Sequence, residues 1–131
     1  MITTLAIKNY ALIEDIRVDL QEGLTIITGE TGAGKSILLG ALALILGKRA
    51  DLGSVKVASQ KCIIECEFSI KNYDLQAVFH NNDLDYDDQT IIRREILPSG
   101  KSRAFVNDTP VSLVQLQKLG AYLVDVHSQH E

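Results

Sequence analysis

Two hydrophobic periods alternate along the chain, and the switches between them mark its elements. Ile2 to Lys8 alternates well enough to predict a strand, with Thr3, Leu5 and Ile7 on one face. Asn9-Tyr10-Ala11 reads as a turn. Glu14 to Leu20 alternates again, with Ile16, Val18 and Leu20 inward and Asp15, Arg17 and Asp19 outward. After a turn at Gln21-Glu22-Gly23 comes Leu24-Thr25-Ile26-Ile27-Thr28, a β-branched run suited to a buried parallel strand. The pattern then changes: Ile37 to Leu46 is almost wholly apolar and rich in helix formers, which predicts a helix buried all round. Gly47 suits its C′ position, with Lys48 and Arg49 near the negative helix end.

The polar stretch Lys48 to Ser59 predicts a loop with a short strand near Ser54–Val57. Cys62 to Ile70 reads as a strand with Cys62, Ile64, Cys66 and Phe68 on one face, and Tyr73 to His80 as a short helix. Asn81 to Gln89 carries Asp83, Asp85, Asp87 and Asp88 but lacks the Gly and distal Glu of a Ca²⁺ loop, so a solvated acidic loop is expected. Thr90 to Leu97 and Lys101 to Asn107 form a predicted hairpin, turned by Pro98-Ser99-Gly100. Ser112 and Gln115 have the spacing of a capping box, opening a helix to about Leu119 that Gly120 is expected to stop. Ala121 to Val126 reads as a further core strand. The implied class is α/β, with parallel core strands and a flanking antiparallel β subdomain.

Length and composition narrow the picture. At 131 residues the chain holds at most one ordinary domain, and 46% hydrophobic residues argue against disorder. A net charge of −4 removes any global basic signature, so nucleic acid would have to meet a local patch. Arg93, Arg94, Lys101 and Arg103 on the hairpin are the only basic cluster. It reads either as a solvated sheet face balanced by Glu95 and the acidic loop, which is preferred, or as a contact for phosphate. Cys62 and Cys66 lack the Cys/His company of a metal site and are expected to be reduced thiols of a cytosolic protein. No signal-peptide pattern opens the chain, and its longest apolar run is too short to span a bilayer.

The chemistry concentrates in Gly29-Glu30-Thr31-Gly32-Ala33-Gly34-Lys35-Ser36, which fits the G-x-x-x-x-G-K-[ST] phosphate loop. Glycines let the backbone N–H groups converge on phosphate oxygens, Lys35 reaches the terminal phosphates, and the Ser36 hydroxyl suits Mg²⁺. The expected ligands are therefore ATP and Mg²⁺. A predicted strand before the loop and helix after it supply the required context. An acidic residue ending an apolar strand usually completes a hydrolysing site. Asp125 in Leu123-Val124-Asp125-Val126 stands in such a run but is followed by His127, and is not favoured for that role.

That ending points to a family. Ile7 to Ile13, the phosphate loop, Gly47-Lys48-Arg49-Ala50-Asp51, Ser102 to Asn107 and Val124-Asp125-Val126-His127-Ser128-Gln129-His130-Glu131 together resemble the RecN family of bacterial DNA repair proteins. The Gly-Lys-Arg-Ala-Asp and His-Ser-Gln-His-Glu segments are its more specific marks. RecN proteins are similar to the SMC proteins, whose ABC-type ATPase heads are split by a long coiled coil. The resemblance implies that residues 1–131 are the N-terminal half of such a head, acting in recombinational repair of double-strand breaks. It implies that Gln129 is the Q-loop glutamine, contacting Mg²⁺ and the attacking water. The signature motif, Walker B acids and switch histidine would lie outside this stretch, which alone is expected to be inactive while the full protein is an ATPase. DNA and a second head, in a homodimer, are the implied partners. The implied location is the bacterial cytoplasm, associated with the nucleoid, with no membrane.

Other readings stay open. A membrane transporter's nucleotide-binding subunit shares the phosphate loop and Q-loop, though Lys35 and Gln129 are further apart than expected there. A small-molecule kinase would need an Arg-rich lid, and none is evident. A non-catalytic nucleotide-binding or tethering module fits a stretch without hydrolytic parts. His127 and His130 lack the further ligands of a metal pair. Tyr10 would either stack on adenine or close a turn. Arg49 would reach DNA or nucleotide, or simply favour the helix end, the safer assumption.

Overall fold

The computed structural model describes residues 1–20 and 32–128, with the backbone alone at 32–33 and 124–128. Six strands form one sheet: β1 (Ile2–Tyr10), β2 (Ile13–Asp19), β3 (Cys62–Ser69), β4 (Gln89–Ile96), β5 (Ser102–Val106) and β6 (Thr109–Val111), in the order β2-β1-β3-β4-β5-β6. Every pairing among the described residues is antiparallel. This is the antiparallel subdomain expected beside the parallel core. The expected parallel strand Leu24 to Thr28 lies outside the described residues. Among the described residues three helices accompany the sheet: α1 (Gly32–Ile45), α2 (Gln76–Asn81) and α3 (Leu113–Ser128).

Period-2 alternation puts one face of the sheet into the core. Leu5 and Ile7 of β1 sit opposite Cys66 and Ile64 of β3, which in turn sit opposite Ile92 and Arg94 of β4. Ile92 continues the row to Val106 of β5. Leu38, Ala41, Leu44 and Ile45 of α1, Phe79 of α2, and Leu116, Leu119 and Leu123 of α3 complete the same buried cluster. Each of the Leu, Ile, Val and Phe side chains stabilises the fold by about 1.5–3 kcal/mol relative to exposure, and Ala41 by less. The helix α1 is less enclosed than its composition predicts: its sheet-facing side is buried, but Leu39 is 54% exposed.

Turns carry the expected chemistry, with one addition. Gly100 takes φ +92° behind Pro98-Ser99, and the Gly100 amide donates to the Leu97 carbonyl at 2.8 Å. Asn107 and Asp108, at φ 46° and 67°, make a two-residue turn into β6, a strand that the sequence pattern did not separate from its neighbour. Pro110 is tolerated there because β6 is an edge strand. Between Ser54 and Val57 the expected strand reduces to a 3₁₀ turn at Leu52–Ser54 and a single bridge from Val55 to Tyr10.

The largest departure concerns Gly120 and residues 121–126. The helix opens as predicted: the Ser112 hydroxyl accepts from the Gln115 amide at 3.1 Å, and the Gln115 side chain accepts from the Ser112 amide at 2.9 Å. It does not stop at Gly120, and Ala121 to Val126 is helical rather than a strand. Leu116, Leu119 and Leu123 have helical spacing and are all buried, so the packed stripe carries through the glycine. A Cβ at Gly120 would lie 2.8 Å from the Leu46 carbonyl oxygen and 3.2 Å from its Cα. Gly120 is thus where α3 touches the backbone at the end of α1. Ordinarily Gly→Ala inside a helix stabilises by about 1 kcal/mol. Here Gly120→Ala is expected to destabilise by about 1–3 kcal/mol, read as a lower midpoint in urea unfolding. An unchanged or raised midpoint would contradict the close contact.

Candidate nucleotide-binding site

The candidate site stands at the N-terminal end of α1. Lys35 and Ser36 are exposed on its first turns, and Gly34 is partly buried. No acidic residue occupies the first turn. The dipole of this 14-residue helix puts a partial positive charge at this end, beside one ammonium and one hydroxyl. That donor set fits phosphate and a hard cation. Gly29, Glu30, Thr31 and Gln129 lie outside the described residues, and Gly32 and Ala33 are described by backbone only. Gln129 is therefore not brought to Lys35 by anything described.

The other end of α1 is held tightly. Gly47, at φ +105°, closes the helix: its amide donates to the Leu44 carbonyl at 3.1 Å, and the Lys48 amide donates to the Ala43 carbonyl at 3.0 Å, as a Schellman cap requires. Gln117 of α3 donates to the Gly47 carbonyl at 3.0 Å. Arg94 of β4, 2% exposed, donates through Nη1 to the carbonyls of Leu44 at 2.7 Å and Lys48 at 2.8 Å, and through Nη2 to the Ser102 hydroxyl at 3.3 Å. Its cation meets the negative end of the helix dipole rather than a carboxylate. Desolvation lowers its pKa from the ordinary value.

The basic cluster of the hairpin is thereby divided. Arg94 points into the core, on the same face as Ile92 and Ile96. On the opposite face Glu95 gathers three cations: Arg103 at 2.7 Å, Arg93 at 3.2 Å and Lys61 at 3.8 Å. Arg93 also pairs with Asp108 at 3.2 Å and lies over the Phe105 ring, 4.3 Å from its centroid. Lys101 is exposed at the turn. This is the charge-balanced sheet face that the sequence favoured, with Glu95 at its centre.

Asn9 is a site residue of another kind that the sequence reading missed. Its side chain donates to the carbonyls of Val57 and Gln60, both at 3.0 Å, and accepts from the Val57 amide at 2.7 Å. The loop that follows Arg49 is thus tied to the end of β1. Tyr10 is buried, not an open stacking platform. A Cβ at Gly40 would come within 2.6 Å of its hydroxyl, so the ring packs directly on α1. Asp125 falls within α3 rather than at a strand end. Among the described residues no group of three His, Cys, Asp or Glu side chains is arranged to hold a metal.

Cys62 and Cys66 are both fully buried on the core face of β3. Burial pushes the Cys62 thiol up to about 11, and burial, followed by the nearby Glu67, pushes Cys66 to about 12. At pH 8 both are expected to resist iodoacetamide in the folded protein and to react once urea unfolds it; rapid alkylation of the folded protein would contradict their burial. The linkage has a definite sign. Folded pKa values lie above the ordinary 9.0, so this contribution is intact below pH 9 and is lost as pH rises toward 11–12.

Comparison with known proteins agrees with this geometry. A family model described as an AAA domain matches residues 4–129. The DNA repair protein RecN of Vibrio cholerae serotype O1 is 41% identical over 131 residues, covering 99% of this chain and 24% of that protein. RecN of Bacillus subtilis (strain 168) is 38% identical over 133 residues, covering 100% and 23%. The chain therefore spans about a quarter of the length of these curated relatives. Among solved structures, one described as "Structural biochemistry of ATP-driven dimerization and DNA stimulated activation of SMC ATPases" matches at TM-score 0.71 and 18% identity, over 92% of this chain and 78% of that one. Another, "Structure of the recombination mediator protein RecF-ATPrS in RecFOR pathway", matches at TM-score 0.60 and 18% identity, over 88% and 29%. At these identities the likeness shows the fold, an α/β P-loop ATPase fold of the SMC-head and RecF kind. The chain belongs to the AAA domain family and is similar along its whole length to the bacterial RecN repair proteins.

Proposed function

We propose that this chain is the ATP-binding, N-terminal half of an SMC-like ATPase head, in a protein of recombinational double-strand break repair. The observation that carries the reading is the phosphate-loop lysine and serine, Lys35 and Ser36, exposed on the first turns of a helix whose other end is locked. Gly29 to Ser36 would cradle the phosphates, with Lys35 as their point charge and Ser36 on Mg²⁺. The bound Mg²⁺ would supply charge neutralisation at the β- and γ-phosphates. Gln129 is proposed, by resemblance, as the group that orients water and meets the metal. Turnover is proposed for the full protein, through pairing with a second head. The transporter reading is not favoured, since the similar proteins along the whole chain are repair proteins. Among the described residues no helix is long and apolar enough to cross a membrane.

DNA is proposed as a partner of the full protein, and the location as the bacterial cytoplasm at the nucleoid. The hairpin is a weaker DNA surface than its composition implies, because Arg94 is buried and Arg93 and Arg103 already serve Glu95. Lys101 and Arg103 are the cations of that cluster still reachable by a phosphate backbone. Reversing Lys101 alone, Lys101→Glu, is expected to lower DNA affinity of the full-length protein by no more than about tenfold at low salt, one phosphate contact's share. A loss of a hundredfold or so would make the hairpin the main DNA surface.

Nucleotide binding is tested more sharply. Lys35→Ala in the full-length protein is expected to abolish Mg-ATP binding in calorimetry while leaving the unfolding transition within about 0.5 kcal/mol, as for any exposed side chain. Undiminished affinity would sink the proposed site.

A further inference from the structure

We propose that Arg94 is a positioning residue for the nucleotide site: it sets how far along its axis the phosphate-loop helix sits on the sheet, and so where Lys35 and Ser36 stand. The inference rests on the nucleotide-binding reading above. Arg94 belongs to none of the loop segments that bind phosphate, and it acts from the opposite end of α1.

Three observations carry it. The first is the cost of the residue. A guanidinium 2% exposed on a strand between Ile92 and Ile96 occupies a position where an aliphatic side chain would pack without desolvating a charge. Among the described residues no carboxylate pairs with it, and its Nε has no hydrogen-bond partner. A purely stabilising role would be met as well, or better, by an apolar residue of similar volume.

The second is the direction of its contacts. Apolar packing of Leu38, Ala41, Leu44 and Ile45 on the sheet is non-directional and leaves sliding along the helix axis weakly resisted. The two Nη1 bonds, at 2.7 and 2.8 Å, are directional and end on carbonyls of the helix's last turn and its exit. They hold Leu44 and Lys48 to β4, while Nη2 ties the same guanidinium to Ser102 on β5. The planar fork reaches all three acceptors at once, which a lysine ammonium on a flexible stem would not do in a fixed geometry.

The third is rigidity. Lys35 lies nine residues before Leu44, about 14 Å along an α-helix that moves as one body. A shift released at the Arg94 end therefore appears undiminished at the phosphate loop, where ångström misplacements cost affinity and rate. The Schellman cap and the Gln117 bond fix the shape of the helix end and its contact with α3, but neither reaches the sheet.

The test is Mg-ATP affinity of the full-length protein by calorimetry, well below each variant's unfolding transition. The variants are Arg94→Lys, Ser102→Ala, Ile92→Val and Lys35→Ala. Arg94→Lys keeps the charge and loses the fork, and is expected to weaken binding about tenfold. Ile92→Val, a core change on the same strand that touches neither carbonyl, is expected to stay within about twofold. Hydrogen exchange gives a second readout: Arg94→Lys is expected to speed exchange in residues 32–39, far from the substitution, and Ile92→Val is not. Equal affinity of Arg94→Lys and wild type, or an equal loss in Ile92→Val, overturns the proposal. If Arg94→Lys does not fold, Ser102→Ala decides: a loss of about threefold supports it and wild-type affinity overturns it. Failure of the nucleotide reading would look different, as wild type and Lys35→Ala would then bind alike or not at all.

Discussion

A buried positive charge with no negative partner has to be compensated by dipoles, and in this protein the dipoles belong to the helix that carries the phosphate loop. Arg94 donates to the last carbonyls of α1 and to a hydroxyl on the next strand. It thereby joins three things that apolar packing alone would leave loosely registered: the helix, β4 and β5. Removing such a donor leaves the Lys48 carbonyl without its partner, at about 1–3 kcal/mol, while the Leu44 carbonyl keeps the Gly47 amide. The rest of the arrangement follows from that constraint. With its C-terminal end closed by Gly47, Gln117 and Arg94, α1 is fixed at that end, and its opposite end holds Lys35 and Ser36.

The sheet keeps its two faces chemically distinct through simple alternation on β4. Ile92, Arg94 and Ile96 face the helices, while Arg93 and Glu95 face outward. Glu95 then spends Arg93, Arg103 and Lys61 on one carboxylate. The Glu95 carboxylate is buried while its cations stay partly exposed, so these are not simple surface pairs: the cations compensate a desolvated charge. The cluster pairs strands across the outer face as Arg94 ties strands to helix on the inner one. It also explains why a segment rich in arginine is not a free basic surface.

Much of this was legible in the sequence. The alternation at Leu5 and Ile7, at Cys62 to Phe68, and the capping box at Ser112 all describe the structure, because each rests on local chemistry with one low-energy answer. The phosphate loop was read from spacing alone; Gly29, Glu30 and Thr31 lie outside the described residues, and Lys35 and Ser36 stand on the first turns of α1. What was not legible depended on contacts distant in sequence. Gly120 reads as a helix stop unless the backbone of Leu46, 74 residues earlier, is known to press against it. The run Ala121 to Val126 is too short and too uniformly apolar for its period to separate helix from strand. Arg94 was grouped with its basic neighbours by composition. Yet its phase with Ile92 and Ile96 marked it as core-facing, a signal that alternation offered and charge counting hid.

The anchoring of α1 at its C-terminal end involves no nucleotide, so it is expected to be complete in the free protein. Hydrogen–deuterium exchange of the full-length protein, with and without Mg-ATP, tests it most directly. Residues 43–48 are expected to be strongly protected already without nucleotide and to change little on binding, while residues 29–36 gain protection when Mg-ATP is added. Exchange of residues 43–48 as fast as that of the exposed acidic loop at 83–88, or protection there that appears only with nucleotide, would contradict it.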